Sequence, residues 1–323
     1  MRLKEGPAML ENLLTSLRVT LPIFVVILLG WFLRRRHVLD EHFVLRANDL
    51  IFKVALPAKL FSDVASSDLR GAMSGRFVLL AVVGTLAGIA LAWLLGDLLL
   101  RNPSEQGAFI HASFRGNFAY VGLTLLQNLI GSSVTALAAV MMATVIPIYN
   151  IAAVVVLTVK KPGAPKLRIG KLLLDVLKTP MVIGILAGIP FSLLRIELPF
   201  IVAKPLGYLS AMVAPLALLC VGASVRFADV RRKTRAILPA CLFKLVIQPL
   251  LVVPAAVLLG LSGPEVLVLL VLTGTPSAVN VYIVTQKMDG DGELASGIVV
   301  LSTALSVLTL TLWLFALKTM GVW

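Results

Sequence analysis

Charged residues are scarce in this chain, and acidic ones scarcest: 16 Asp and Glu stand against 29 Lys and Arg, and all four types make up 14% of 323 positions. A water-soluble chain of that length needs far more polar surface. With 59% hydrophobic residues and a mean hydropathy of +0.99, the sequence describes an integral membrane protein. Cysteine is almost absent. Cys220 and Cys241 each lie in apolar runs with no other ligand-type residues spaced around them, so neither a disulfide nor a metal site is expected. Catalytic signatures are missing too: there is no phosphate-binding loop, no HExxH and no GxSxG, and nothing between the apolar runs is large enough to hydrolyse ATP. A chain without enzymatic activity or cofactor is expected. The net charge of +13 does not imply nucleic acid, because the basic residues form short clusters between apolar runs rather than a basic domain.

Ten apolar runs are long enough to cross a bilayer: 17–33, 43–64, 77–100, 107–130, 134–159, 172–196, 200–225, 236–261, 264–287 and 294–317. The first resembles a signal peptide, yet it ends in "WFLRRR" rather than in small residues suited to cleavage, and is read as a retained helix. Alternate loops differ in charge. One set holds "RRR" at 34–36, Arg101, the basic stretches at 160–171 and 226–235, and Lys287; the other holds only Arg2, Lys4, Arg18, Arg70, Arg76, Arg195 and Lys318. The richer set is assigned to the cytoplasm, which puts both termini of a multi-pass protein on the outer, periplasmic side. Contacts between the basic loops and anionic lipid are compatible with this.

The two halves echo one another. Pro22 and Pro180, Gly30 and Gly188, and Pro57 and Pro215 each stand 158 positions apart; Ala119 and Ala278, Gln127 and Gln286, and Gly131 and Gly290 stand 159 apart. The pattern predicts a duplicated five-helix unit: residues 1–160, a basic linker at 161–171, and residues 172–323. Five is odd, so the second unit enters from the opposite side. The expected fold is therefore all-α, ten transmembrane helices in two inverted repeats, an architecture of many secondary transporters.

Within the ninth run, "TGTPSAVN" carries helix-starting residues at mid-membrane: Thr275 as an N-cap, Pro276 at the first helical position, then Ser277 and Asn280. At the 159 offset, Thr275 and Pro276 fall on Gly116 and Asn117 of the fourth run, so both helices are expected to be broken. Broken backbone is tolerated in a membrane only where it packs in protein or lines a wet cavity. A half-helix starting there offers free N–H groups and a positive dipole end to an anion such as a carboxylate. A simple proline kink is the alternative for "GTPS", and Pro57 and Pro215 are read as kinks. Arg115, beside the fourth-run break, either clamps a carboxylate bidentately or neutralises half-helix carbonyls or snorkels. Asn150 is a cavity wall or an interhelical hydrogen-bonding group. Lys244, with Gln248 one turn on, is a counter-charge or, as is commoner, a snorkelling lysine. Asp49 with Lys53, and Lys59 with Asp63, have the spacing of self-satisfied ion pairs. His111 lacks a carboxylate nearby for a proton relay. No Asp or Glu lies close to either break, which favours an anionic substrate over a metal cation.

The stretches "LPIFVVILLGWFLRRR", "KVALPAKLF", "FRGNFAYVG" and above all "TGTPSAVNVYIVTQKMDGDGELASGIVVLSTALSVLTL" resemble the bacterial branch of the auxin efflux carrier family, over nearly the whole chain. The resemblance implies a bile-acid-symporter-like fold in which broken helices four and nine cross beside the substrate, with Asn117 and Pro276 at the crossing. It also implies small carboxylates as substrates: auxin in plants, dicarboxylates such as malate or malonate in some bacterial members. Many relatives have a proline after "NFAYVG", where this chain has Thr124. The expected function is transport of a small organic anion by alternating access, with a homodimer admitted and nucleic acid excluded as partners. A carrier of the same fold for a neutral or zwitterionic solute such as an amino acid is the alternative; a membrane enzyme or receptor is a third, disfavoured by the repeat.

Overall fold

The computed structural model describes residues 5–66, 74–161, 178, 180–225 and 232–323, and every regular element among them is helical. In chain order the α-helices are α1 (Glu5–Arg35), α2 (Glu41–Leu50), α3 (Leu56–Ala65), α4 (Gly75–Leu99), α5 (Pro103–Phe114), α6 (Leu123–Ile130), α7 (Thr135–Val159), α8 (Pro180–Leu194), α9 (Phe200–Ala223), α10 (Thr234–Leu242), α11 (Gln248–Leu258), α12 (Gly263–Gly274), α13 (Asn280–Lys287) and α14 (Gly292–Thr319). Six stretches are long and apolar enough to cross a membrane: Glu11–Arg35, Gly75–Leu99, Ala136–Val159, Phe200–Ala223, Thr234–Leu258 and Gly292–Thr319. The other four expected runs resolve into shorter pieces: α2 with α3, α5 with α6, α8, and α12 with α13. Arg70, positions 162–177 of the linker and the sixth run, and 226–231 of the second basic loop lie outside the described residues.

Local chemistry sets the helix ends. Asp40, Ser74, Asn102 and Asp291 each cap a helix by accepting a backbone N–H two or three residues on, and Ser262 with Glu265 forms a capping box at α12. Two interruptions trace to proline. Pro57 and Pro249 have no N–H for the carbonyl four residues earlier, and a π-helical turn precedes each, at Ile51–Ala55 and Phe243–Ile247. The carbonyl that Pro249 frees, on Leu245, accepts the Trp313 indole N–H at 3.1 Å. Asp49 and Lys53 (2.8 Å) and Lys59 and Asp63 (3.1 Å) pair as their spacing predicts.

The helices pack in two groups. One joins α1 to α9 and α3 to α8 and α9; the other joins α4, α5 and α7 with α10 to α14; α1 lying along α14 and α3 against α7 hold the two together. Glycine makes the first group possible. A Cβ on Gly30 would lie 2.2 Å from the Leu219 carbonyl oxygen, and one on Gly188 would lie 2.9 Å from that of Phe61. Gly30 and Gly188, and likewise Phe61 and Leu219, are 158 positions apart, so the two contacts are the same contact made twice. Ion pairs gather where α4, α7 and α13 end and α5, α10 and α14 begin: Lys160 with Asp97, Lys161 with Asp289, Arg232 with Glu293, and Lys233 with both Glu105 and Asp291.

Candidate functional site

Both expected breaks exist, and they meet. Helix α5 ends at Phe114 and the next helical residue is Phe118, which begins a π turn (Phe118–Gly122) leading into α6; α12 ends at Gly274 and α13 begins at Asn280. Between them, Gly116 and Ser277 form an antiparallel bridge: the Asn117 N–H donates to the Pro276 carbonyl (2.7 Å) and the Ala278 N–H to the Arg115 carbonyl (3.0 Å). The Ser277 N–H donates to Ser302 Oγ on α14 at 3.1 Å. Each break thus satisfies backbone groups of the other, which is how irregular backbone survives away from water.

The bridge corrects one expectation. Thr275 is the C-cap of α12 (φ −67°, ψ 151°), not an N-cap, and Pro276 stands in extended backbone rather than at the first position of a helix. The second half-helix starts four residues later, at Asn280. The physical reason is that pairing with Gly116 requires an extended strand-like segment, and that tertiary demand outweighs the local capping signal. Gly116 is obligatory here: a Cβ would lie 2.8 Å from Thr275 Oγ1 and 3.0 Å from both the Leu272 carbonyl oxygen and Lys244 Nζ.

Arg115, Gly116, Asn117 and Asn280 line one cavity of about 40 Å³, together with Phe118, Ala119, Ala278 and Val279. That is room for one or a few waters. Its remaining wall is Tyr120, Met141, Val145, Ile146, Tyr149 and Leu272, with Phe52 and Met181 contributed by the α1, α3, α8 and α9 side. The cavity therefore opens between the two packing groups. Of the other predicted residues, Thr275, Pro276 and Ser277 lie on the crossing outside this lining, and Asn150 stands behind it, its Oδ1 accepting from Arg115 Nη2 at 2.8 Å. The aromatic and Met wall went unread in the sequence. Apolar residues in a chain so apolar carry no local signal, although Tyr149 sits beside Asn150 in "VIPIYN".

The electrostatics are one-sided. Arg115 is 8% exposed and Lys244 fully buried, and among the described residues neither has a carboxylate within ion-pair distance. Lys244 does not snorkel. Its ammonium donates to the Thr273 carbonyl (2.6 Å) at the C-terminal end of α12 and to Gln248 Oε1 (2.8 Å). His111 is buried with Nδ1 3.1 Å from Thr285 Oγ1. Asn117 Nδ2, Thr275 Oγ1, Ser277 Oγ and Asn280 Oδ1 are buried without a hydrogen-bond partner among the described residues, an unusual concentration for one place in a fold.

Residues 16–314 match the family model described as membrane transport protein. The chain is 27% identical over 311 residues to a protein of Rhizobium meliloti named "Putative malonate transporter", covering 93% of this chain and 95% of the relative. It is 25% identical over 307 residues to an uncharacterized transporter of Methanocaldococcus jannaschii, covering 91% and 96% of the two chains, and 24% identical over 302 residues to one of Methanothermobacter thermautotrophicus, covering 92% and 97%. With its all-helical apolar architecture and its match across nearly the full length, the chain belongs to the membrane transport protein family of the auxin efflux carriers.

Proposed function

We propose that the protein is a secondary carrier that moves a small organic anion, of the mono- or dicarboxylate class to which malonate and malate belong, across the inner membrane by alternating access. One observation carries the reading. Two buried cations stand at the crossing of two broken helices with no described carboxylate to neutralise them, Arg115 in the cavity wall and Lys244 just behind Gly116. A buried charge without a partner is costly, and an anion entering the cavity removes that cost for Arg115. Asn117 Nδ2 is a donor without a described partner in the same wall, and the start of each second half-helix, Phe118 to Tyr120 and Asn280, lines it too. Arg115, Gly116, Asn117 and Asn280 are the residues proposed to touch substrate. Asn150 orients Arg115, while Thr275, Pro276 and Ser277 hold the crossing.

Alternating access would move the two packing groups against each other across this cavity. The twice-made glycine contact supports two inverted five-helix repeats, and the gathering of ion pairs at one end of the bundle supports a cytoplasmic face there with both termini periplasmic.

Counterflow in proteoliposomes tests the function. Vesicles loaded with unlabelled malonate or malate should accumulate the labelled acid, and vesicles loaded with a neutral amino acid should not. Exchange of amino acids with no exchange of carboxylates would overturn the anion reading in favour of a zwitterion carrier.

A further inference from the structure

Lys244 reaches its place through a device of its own: the π turn before Pro249 gives the helix an extra residue at that level, and the lysine lies inside that turn. Among the described residues its ammonium meets no carboxylate. It meets neutral oxygens. The Thr273 carbonyl and Gln248 Oε1 accept from it directly, and Leu272 O and Thr275 Oγ1 lie, like the ammonium itself, within about 3 Å of the point where a Gly116 side chain would begin. Thr275 is fully buried and its hydroxyl has no partner among the described residues. Carbonyl, amide and hydroxyl oxygens around the C-terminal end of an interrupted helix are the donor set with which broken-helix carriers hold a monovalent metal ion, since the dipole there is negative and the last carbonyls are unpaired.

We infer that this oxygen cluster is a monovalent-cation site whose occupant is the chain's own ammonium, tethered by the Lys244 stem. The occupant is then covalently held, and no cation of the medium takes its place while the ammonium is there. A free cation occupies the position only when the tether is removed. The inference concerns the crossing's own charge and does not depend on which solute is carried.

The test uses purified full-length protein and needs no substrate. Thermal unfolding midpoints are measured for wild type, Lys244→Ala and Lys244→Met in choline, sodium, potassium and methylammonium chlorides at equal ionic strength. Wild type should unfold at one temperature in all four salts. Lys244→Ala should be lower by roughly 5–10 °C in choline and should recover at least half of that, saturably, in methylammonium, whose head matches the missing ammonium. Lys244→Met fills the space without charge and should not recover. A midpoint for Lys244→Ala that is indifferent to the salt, or equal recovery of the Ala and Met variants, would overturn the site. Should Lys244→Ala not yield folded protein, Lys244→Ser, which leaves room for a cation and adds an oxygen, takes its place. Failure of both to fold in methylammonium overturns the site equally. Any of these failures leaves the anion reading untouched, because no carboxylate is present and chloride is the same in all four salts.

Discussion

Arg115 gives one of its guanidinium nitrogens to a neutral amide, Asn150, and stands in the cavity wall. Arg115→Lys keeps the charge and loses the planar fork, so apparent affinity for a dicarboxylate should fall by about tenfold or more while the protein still folds. Initial uptake rates over a range of substrate concentrations measure this, and unchanged affinity would make Arg115 a structural residue. At Pro276 the bridge reverses the expectation that a half-helix start would carry. Alanine there keeps the carbonyl that Asn117 uses but adds a buried N–H in extended backbone, so Pro276→Ala should melt at or below the wild-type temperature rather than above it. The breaks themselves were legible in the sequence, because Gly116, Asn117 and Pro276 disfavour helix interiors wherever they stand. Their conformation was not: Thr, Pro and Ser in a row spell a helix start locally, and the partner that draws them straight lies some 160 positions away, where no windowed pattern looks.

At the level of elements, the proline positions were readable and their effects were only half so. Kinks are expected at Pro57 and Pro215; a π turn, itself a source of helix bending, precedes Pro57 and also Pro249, while Pro215 lies within the continuous α9. Trp313→Phe removes the donor that satisfies the carbonyl Pro249 leaves free, and should cost about 1–3 kcal/mol in chemical denaturation, more than a surface Trp→Phe change. Two glycines in different surroundings give a sharper comparison. Gly30→Ala drives a methyl group into the backbone of α9 and should destabilise by about 1–3 kcal/mol, whereas Gly75→Ala, with no described atom within 4 Å, should be neutral or slightly stabilising. Equal stabilities of these two variants would remove the close α1 to α9 approach. The repeat offset was visible in the sequence. That it marks matching helix contacts became visible only with Leu219 and Phe61 in place, since neither residue resembles the other.

Across the whole molecule, the ion pairs at one end tie the ends of non-neighbouring helices together. Lys233 is the centre of that set. Burial lowers its pKa, but its hydrogen bonds to Asp291 and Glu105 outweigh burial, and the net displacement is upward from 10.5. A raised lysine pKa contributes stability fully below the unfolded value and loses it as pH climbs through the folded one. The melting difference between wild type and Lys233→Met should therefore be constant near neutral pH and shrink only above about pH 10.5. The proposed orientation has its own test. Both native cysteines are buried, so Lys161→Cys and Lys233→Cys should stay unlabelled by an impermeant thiol reagent in intact cells and react once the cells are opened; labelling of both in intact cells would reverse the topology. The crossing also imposes an order on biosynthesis. The amide of Asn117 finds its acceptor on Pro276, and a ribosome adding roughly 5–20 residues per second needs about 8–30 s to make the intervening chain. For that interval the nascent fourth segment must keep its gap wet, or shielded by the insertion machinery, because its eventual partner has yet to be translated.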